Sequence, residues 1–285
     1  MWTLGLTYLI FWGPLAIFQI PGASAGQQGG VGMGILPFIV GGFVPSIVGI
    51  VLTAKFEGRP GLRQLWRRLC ALRFSLRWYL VILAVPILAS GARLVVQWAT
   101  GADVHPAEPL AAILANPVLW IPFTIQVIFL GPLSEEFGWR GFAQDRLLAR
   151  FSPLSGSLLL GLVWACWHIP LFFIPGTSQS AGGQPSLQFA VFAIGVISES
   201  VILTWLYNRT GRSLGAAVLM HATIGFTGSL VALLVPPSLI GDAMFAAGHL
   251  VVAAVVTLIS RGDLGAGNVP ARNAGAAVGS TRSAG

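Results

Sequence analysis

Long apolar runs separated by short polar connections dominate the chain. A helix that crosses a bilayer needs about 20 mostly apolar residues. Eight runs meet this requirement, at residues 2–20, 32–54, 78–99, 109–131, 154–174, 188–207, 214–234 and 239–260. The pattern predicts an all-α membrane protein with eight transmembrane helices. We expect residues 1–260 to form one eight-helix domain and the Gly/Ala-rich residues 261–285 to form a disordered cytoplasmic tail.

The composition agrees with this membrane assignment. Only 9% of the 285 residues are charged, and 55% are hydrophobic. Soluble domains carry about 25% charged residues, so a water-soluble fold of this length would lack polar surface. The formal net charge of +7 does not indicate nucleic-acid binding, because the basic residues lie in the connections between apolar runs. The lipid bilayer is the partner that this pattern predicts.

The basic residues also predict an orientation. Fifteen of the 16 Lys and Arg residues fall on alternate connections and in the tail, and only Arg93 departs from this pattern. The positive-inside rule therefore places both termini in the cytoplasm. Arg93 lies near the outer end of the third run, where its side chain can reach the interface. Residues 61–72 place leucines and Trp66 opposite arginines, which predicts a short interfacial amphipathic helix.

The first apolar run resembles a signal peptide in one respect. It is followed by Ala23-x-Ala25, which is similar to a signal-peptidase site. No Lys or Arg precedes the run, so the basic region that begins a signal peptide is missing. We therefore interpret residues 2–20 as a retained transmembrane helix.

A few ionisable side chains lie within or at the end of apolar runs, where they are costly and therefore mark candidate functional sites. They are Glu135 and Glu136 at the end of the fourth run, His168, Glu199 and His221. Two histidines and a free carboxylate in one bundle could activate a water, either with a metal or by hydrogen bonds alone. Each histidine could equally be a core residue with a satisfied hydrogen bond. Glu199 could line the same cavity or orient a histidine.

The stretch GPLSEEFGWRGF holds two of these residues, Glu135 and Glu136, together with the charged Arg140. Glu136 precedes Arg140 by four residues, which is the favourable order for an ion pair on a helix. Adjacent helical residues point about 100° apart, so Glu135 faces elsewhere, toward Trp139 at its own i+4 position. A carboxylate in such an apolar setting suits a general base. The alternative is a pair of solvated charges at a helix end.

The second histidine-bearing segment, VWACWHIPLFF, places Trp164 one turn before His168 and Pro170 just after it. The proline should kink the helix and free a carbonyl there. No HExxH or Walker A motif is present in the chain.

Three segments resemble the motifs of the CPBP family, the CAAX proteases and bacteriocin-processing enzymes that are also called Abi. Between about Gly131 and Gly228 they are Glu135-Glu136-x-x-x-Arg140, Trp164-x-x-x-His168 and His221. The resemblance implies an intramembrane endopeptidase, loosely called a metalloprotease, that hydrolyses a peptide bond near the cytoplasmic face. It implies a peptide or membrane-protein substrate, no nucleic acid and a bacterial cell membrane, and it leaves the oligomeric state open.

The resemblance also implies roles for single residues. It assigns water activation to Glu135, beside Glu136, and the remaining catalytic positions to His168 and His221. The two histidines could bind zinc together with Glu135, or they could donate hydrogen bonds to the oxyanion without a metal. Zinc is therefore a candidate cofactor, with a metal-free site as the alternative. The expected supporting residues are Arg140, Trp164, Glu199, Asn208 and Gly225.

Gly225 departs from the family pattern, because many members carry asparagine four residues after the third-motif histidine. A glycine has no side chain that could donate a hydrogen bond to an oxyanion. Thr223, Asn208 or a backbone group would have to replace it, or the chain is a weak or altered protease. Two other functions therefore stay open: a non-catalytic immunity or scaffold protein, and a small proton-coupled transporter, although the two halves show no inverted repeat.

Overall fold

The computed structural model describes residues 35–173, 177, 179–180 and 185–268. Across these ranges the chain is helical and contains no β-strand. Six of the described segments are long and apolar enough to cross a membrane, which confirms an all-α, multi-pass membrane protein. The first predicted run, 2–20, lies outside the described residues. The count of eight spanning helices and the cytoplasmic position of both termini therefore stay predictions.

Ten α-helices occur in the described ranges, joined mostly by short connections. They are α1 (Ile35–Leu69), α2 (Leu76–Ala99), α3 (Glu108–Ala115), α4 (Trp120–Phe129), α5 (Pro132–Gly138), α6 (Gln144–Leu148), α7 (Pro153–Trp167), α8 (Pro185–Arg209), α9 (Leu214–Ala232) and α10 (Leu239–Ile259). A π-helical turn, Trp139–Ala143, joins α5 to α6. Five of the predicted runs match α2, α7, α8, α9 and α10.

The fourth predicted run, 109–131, has the wrong bounds. Asn116 interrupts it after α3 and caps the next turn, since its side chain accepts a hydrogen bond from the Val118 N–H at 3.2 Å. The apolar segment instead extends from Pro117 to Leu148. The sequence prediction ended this run at its first charges, and it placed Arg140 in a loop. In the fold those charges are neutralised inside the protein, so the helical segment continues past them.

Gly58 divides α1 into two parts. Its φ of 63° and ψ of −155° lie in a region that favours glycine, and Pro60 follows at the start of the second part. We call residues 59–69 the arm. The predicted interfacial helix at 61–72 lies mainly within it, but its leucine side does not face lipid. Leu65 is 3% exposed and packs with Phe137 and Leu214.

Close contact between α1 and α5 fixes the helix that carries the two glutamates. A Cβ at Gly49 would lie 2.5 Å from the Phe137 carbonyl oxygen, and a Cβ at Gly138 would overlap the Pro45 carbonyl. The Ser46 hydroxyl donates a hydrogen bond to the Leu133 carbonyl at 2.9 Å. Small residues at both helices therefore let the two backbones touch, as is common between transmembrane helices.

Buried side chains of α7, α8 and α9 form the centre of the bundle, with α2 and α10 packed at its side. Leu203, Leu206 and Met220 are fully buried there. Gly161 lets α7 approach α8 closely, since a Cβ at this position would lie 2.7 Å from the Ile197 Cα. This contact holds α7, which carries the second motif, at a fixed place in the bundle.

Arg93 does not reach the membrane interface as expected. It is 7% exposed, and its Nη1 lies 3.2 Å from Oδ1 of Asp242 on α10. Its Nε also donates to Gln97 at 3.2 Å, and Asp242 accepts a hydrogen bond from Gln188 on α8. Arg93 is therefore neutralised by an ion pair with a neighbouring helix and does not extend to the interface. Together with Gln188, this ion pair links α2, α8 and α10.

The start of the predicted tail is ordered. Leu264 is fully buried, and its carbonyl accepts a hydrogen bond from Asn208 Nδ2 at 3.1 Å. A 3₁₀ turn follows at Ala266–Asn268. Disorder stays a prediction for residues 269–285, which lie outside the described residues.

Candidate active site

Glu136 and Arg140 form the ion pair that their spacing predicted. Arg140 Nη1 lies 3.0 Å from Glu136 Oε1, and neither side chain has any exposed surface. The π-helical turn begins between them, and the Gln144 N–H bonds to the Trp139 carbonyl five residues back. The interpretation as solvated charges at a helix end is therefore wrong. π-Helical turns are frequent at functional sites.

Arg140 is held by more than its carboxylate partner. Its guanidinium carbon lies 4.6 Å from the centre of the Trp164 ring, which is a cation–π contact between α7 and the π-helical turn. The Arg140 carbonyl accepts a hydrogen bond from Arg68 of the arm at 3.2 Å. Arg140 therefore connects three separate parts of the fold.

Glu135 faces two tryptophans. Its Oε2 accepts hydrogen bonds from Trp139 Nε1 at 3.3 Å and from Trp164 Nε1 at 2.5 Å. The contact with Trp139 confirms the expected i+4 neighbour, whereas the contact with Trp164 joins two helices and was not predicted. The side chain is 4% exposed. Both hydrogen bonds use the same oxygen, which leaves Oε1 for another donor such as water.

His168 lies where α7 ends. Its backbone N–H bonds to the Ala165 carbonyl at 3.0 Å, and its Nδ1 lies 2.9 Å from the Trp164 carbonyl oxygen. Because a carbonyl only accepts, Nδ1 carries the hydrogen and Nε2 holds the lone pair of the neutral ring. Pro170 was expected to kink α7. Instead α7 ends before this proline, and a 3₁₀ turn follows from Ile169 to Phe173.

His221 on α9 contacts the Glu136 carboxylate, which also pairs with Arg140. Its Nδ1 lies 2.8 Å from Glu136 Oε1, and its side chain is 12% exposed. The opposite nitrogen, Nε2, faces the start of α5, where a Cβ at Gly131 would lie 3.8 Å away. Glu136 therefore orients the ring, and the glycine leaves room beside Nε2.

Trp164 brings the three motifs together. Its indole N–H bonds to Glu135, its carbonyl oxygen accepts from His168, and its ring lies against Arg140 on one side. The His221 ring meets it edge-on, with the ring centres 5.2 Å apart. Glu135, His168 and His221, which were expected to share a site, therefore all contact this one buried residue.

Glu199 lies on α8. It is 7% exposed, and its Oε1 lies 3.8 Å from His249 Nδ1, beyond hydrogen-bond distance. His249 itself bonds to the Phe245 carbonyl at 3.0 Å. Glu199 was expected to line the same cavity or to orient a histidine, and at this distance it makes no hydrogen bond to His249, a residue that the sequence analysis missed. The available signal was an intramembrane histidine in the middle of the run 239–260.

The two residues proposed to replace the usual asparagine are engaged elsewhere. The Thr223 hydroxyl donates to the Leu219 carbonyl at 2.8 Å, and the Asn208 amide donates to Leu264. A Cβ at Gly225 would meet only Val127 of α4, at 3.5 Å. The position four residues after His221 is therefore open but carries no donor side chain.

Glu135, His168 and His221 are the candidate zinc ligands. A zinc ion needs three or four ligands around one point. Among the residues that the structure describes, no three His, Cys, Asp or Glu side chains form a group able to hold a metal ion. Nδ1 of each histidine and Oε2 of Glu135 are engaged in hydrogen bonds, and the remaining Nε2 and Oε1 atoms do not form such a group. The set of Glu135, His168 and His221 does not fit a zinc ion in this arrangement.

Comparison with known proteins agrees with the motifs. Residues 117–227 match the family described as Type II CAAX prenyl endopeptidase Rce1-like. A curated relative, CAAX prenyl protease 2 of Methanococcus maripaludis, is 30% identical over 118 residues. The aligned part covers 41% of this chain and 41% of the relative, so the chain spans less than half the length of that relative. Through this region, which holds all three motifs, the chain is similar to the CAAX prenyl endopeptidases.

Proposed function

We propose that this protein is an intramembrane endopeptidase that hydrolyses a peptide bond with a water activated by Glu135. The observation that carries the proposal is the convergence of Glu135, His168 and His221 on Trp164. The match of residues 117–227 to a family of CAAX prenyl endopeptidases supports the same activity.

In the proposed reaction, Glu135 Oε1 accepts a hydrogen bond from the attacking water. The water oxygen forms a bond to the carbonyl carbon as its proton passes to Glu135. The tryptophans hold the other carboxylate oxygen, so the free one keeps a fixed direction. A general base placed in this way contributes roughly 10²–10⁴-fold to a rate. The C–N bond then breaks, and the proton held by Glu135 passes to the leaving amine.

The tetrahedral intermediate carries an oxyanion that needs a donor. His221 is the candidate, because Glu136 holds Nδ1 and Nε2 faces Gly131, which has no side chain. In its protonated form Nε2–H would donate to the oxyanion. One such donor contributes about 10²–10³-fold. His168 offers Nε2 on the other side of Trp164, where it would orient the water or the leaving amine.

The substrate class follows from the position of the site and from the family. His221 lies about 10 Å along α9 from its first residue, so the scissile bond must enter the bundle to that depth. We propose a peptide or membrane-protein segment as substrate. The name of the Methanococcus relative points to C-terminal CAAX sequences with a prenyl group as the first peptides to try. A bacterial cell membrane stays the predicted location.

The test uses purified full-length protein and a pair of fluorogenic CAAX peptides, with and without the prenyl group. Glu135→Gln should lower the cleavage rate at least about 100-fold, as expected for loss of a general base. Glu108→Gln is the matched control, since Glu108 is an exposed carboxylate outside the site. Equal cleavage by the wild type and Glu135→Gln would remove Glu135 from the mechanism.

One observation favours a second candidate function, a non-catalytic membrane partner. Gly225 supplies no donor, and the Thr223 and Asn208 side chains are committed to other groups. If the wild-type protein cleaves neither peptide but binds one of them, and Glu135→Gln binds equally well, the scaffold function is the better description.

A further inference from the structure

The outer face of the arm carries a stripe of arginines. Arg59, Arg63 and Arg67 follow one another at four-residue spacing and are all exposed. Trp66, which the sequence pattern placed opposite the arginines, lies three residues after Arg63 on the same face and is 56% exposed. Residues four apart on a helix are neighbours on one side, so the three guanidinium groups and the indole form one continuous surface.

These three arginines have no carboxylate partner within the described part of the chain, in contrast to nearby arginines. Arg68 pairs with Asp145 at 2.9 Å, and Arg146 pairs with Glu57. The acidic residues near the arm are therefore already paired with other cations. The charge of the stripe is left for a ligand or for solvent.

The opposite face of the arm is fixed on the protein. Leu65 is buried against Phe137 and Leu214, and Arg68 donates to the Arg212 carbonyl at 3.3 Å. A Cβ at Gly215 would overlap the Leu69 carbonyl, so the arm touches the first turn of α9. The arm cannot rotate without breaking these contacts, and the stripe keeps its outward direction.

The arm also lies at the level where lipid headgroups are expected. It contacts the start of α9, and α2 begins at Leu76, shortly after the arm ends. Exposed apolar side chains flank it, with Phe56 65% and Leu76 72% exposed. Aromatic and basic residues next to apolar surface are typical of the membrane–water interface.

We propose that the arm binds anionic phospholipid headgroups, with Arg59, Arg63 and Arg67 on the phosphates and Trp66 at the interface. Clusters of basic residues on a helix at the membrane surface attract anionic lipids, with about a fivefold gain in binding per residue. Guanidinium groups suit phosphate because they donate paired hydrogen bonds to its oxygens.

The bound lipid would act on the site through the arm. Leu65 packs against Phe137, which follows Glu136, and Arg68 donates to the Arg140 carbonyl. Occupancy of the stripe holds the arm in place and so holds the segment that bears both glutamates. This effect on cleavage rests on the proposed protease function, whereas the lipid binding does not.

The binding test uses the full-length protein in a neutral detergent and titrates fluorescent phosphatidylglycerol, with phosphatidylcholine as the zwitterionic comparison. The triple variant Arg59→Gln/Arg63→Gln/Arg67→Gln should weaken phosphatidylglycerol binding by about 100-fold, from about fivefold per residue. The matched control, Arg261→Gln/Arg272→Gln/Arg282→Gln, removes the same net charge from the C-terminal segment and should change binding less than about fivefold. The corresponding Arg→Lys triple variant should bind within about tenfold of the wild type, because the charge is kept.

Equal losses in the two glutamine variants would overturn the proposal, because net charge alone would then explain binding. Full competition by inorganic phosphate at matched concentration would assign the stripe to free phosphate instead of lipid. Stronger binding of an acidic peptide than of phosphatidylglycerol would assign it to a protein partner.

The coupling test compares peptide cleavage in phosphatidylcholine nanodiscs with and without phosphatidylglycerol. Anionic lipid should raise the wild-type rate and leave the rate of the arginine-to-glutamine arm variant unchanged. Binding is measured in parallel on Glu135→Gln, which should bind phosphatidylglycerol like the wild type. Absence of cleavage by the wild type with retained lipid binding would contradict only the protease function, and a lipid-independent wild-type rate with intact cleavage would contradict only the coupling.

Discussion

The indole N–H of Trp164 donates a hydrogen bond to Oε2 of Glu135, joining α7 to α5 across 29 residues of sequence. The same tryptophan touches Arg140 with its ring and binds His168 through its carbonyl oxygen. A residue that the resemblance implies only in a supporting role is therefore the structural centre of the site.

Replacing Trp164 with phenylalanine should lower cleavage without unfolding the protein. An aromatic ring against Arg140 and His221 is kept, whereas the N–H donor to Glu135 and part of the indole volume are lost. A hydrogen bond to a charged group contributes about 1.5–3 kcal/mol, so kcat/KM should fall roughly 10- to 100-fold. Trp205→Phe is the matched control, because the Trp205 indole N–H is buried and has no hydrogen-bond partner in the described structure. Equal rates for the two variants would show that this hydrogen bond does not position Glu135.

Replacing Arg140 with methionine should strongly destabilise the fold. The variant leaves the Glu136 carboxylate buried with His221 as its remaining partner. Breaking a buried ion pair by removing one member costs about 3–5 kcal/mol. Unfolding in mixed detergent micelles measures the change, with exposed Arg150→Met as the control. If both variants unfold at the same detergent fraction, the ion pair does not support this part of the fold.

Adding a methyl group at Gly138 should disrupt the contact between α1 and α5. A Cβ there overlaps the Pro45 carbonyl, which is backbone and has little freedom to move. Overpacking of this kind costs about 1–3 kcal/mol, and the displaced glutamates should lower the cleavage rate as well. Gly91→Ala is the comparison, because no atom lies within 4 Å of its added Cβ, and it should be neutral or slightly stabilising. A stable and active Gly138→Ala protein would mean that the two helices can separate at no cost.

Asparagine at position 225 should improve catalysis if the site lacks an oxyanion donor. The added Cβ meets only Val127 at 3.5 Å, an ordinary contact, so the protein should fold. A new side-chain donor near His221 could raise kcat by up to about 100-fold. Gly228→Asn, on the same helix and facing Phe245, is the control for adding an amide. No gain relative to that control would indicate that His221 or the backbone already supplies the donor.

Several features followed from sequence pattern alone because their cause is local. Apolar runs of spanning length can only be stable as helices in lipid, so α2, α7, α8, α9 and α10 were predicted near their observed bounds. The spacing of Glu136 and Arg140 predicted their ion pair, since residues four apart on a helix are neighbours.

Other features depend on contacts between segments that are distant in sequence. The fourth span continues to Leu148 because buried partners neutralise Arg140 and Glu136, which no single window of sequence reveals. Arg93 stays buried because Asp242 lies on a neighbouring helix.

The same distinction between local and long-range causes applies to the candidate site. The sequence by itself determined which ionisable groups enter the membrane region and which of them fall in the three motifs. Only the tertiary structure decided that Trp164 donates to Glu135 and that Glu136 serves both Arg140 and His221. The physical reason is that helix packing sets these distances, and packing depends on side chains from several helices at once.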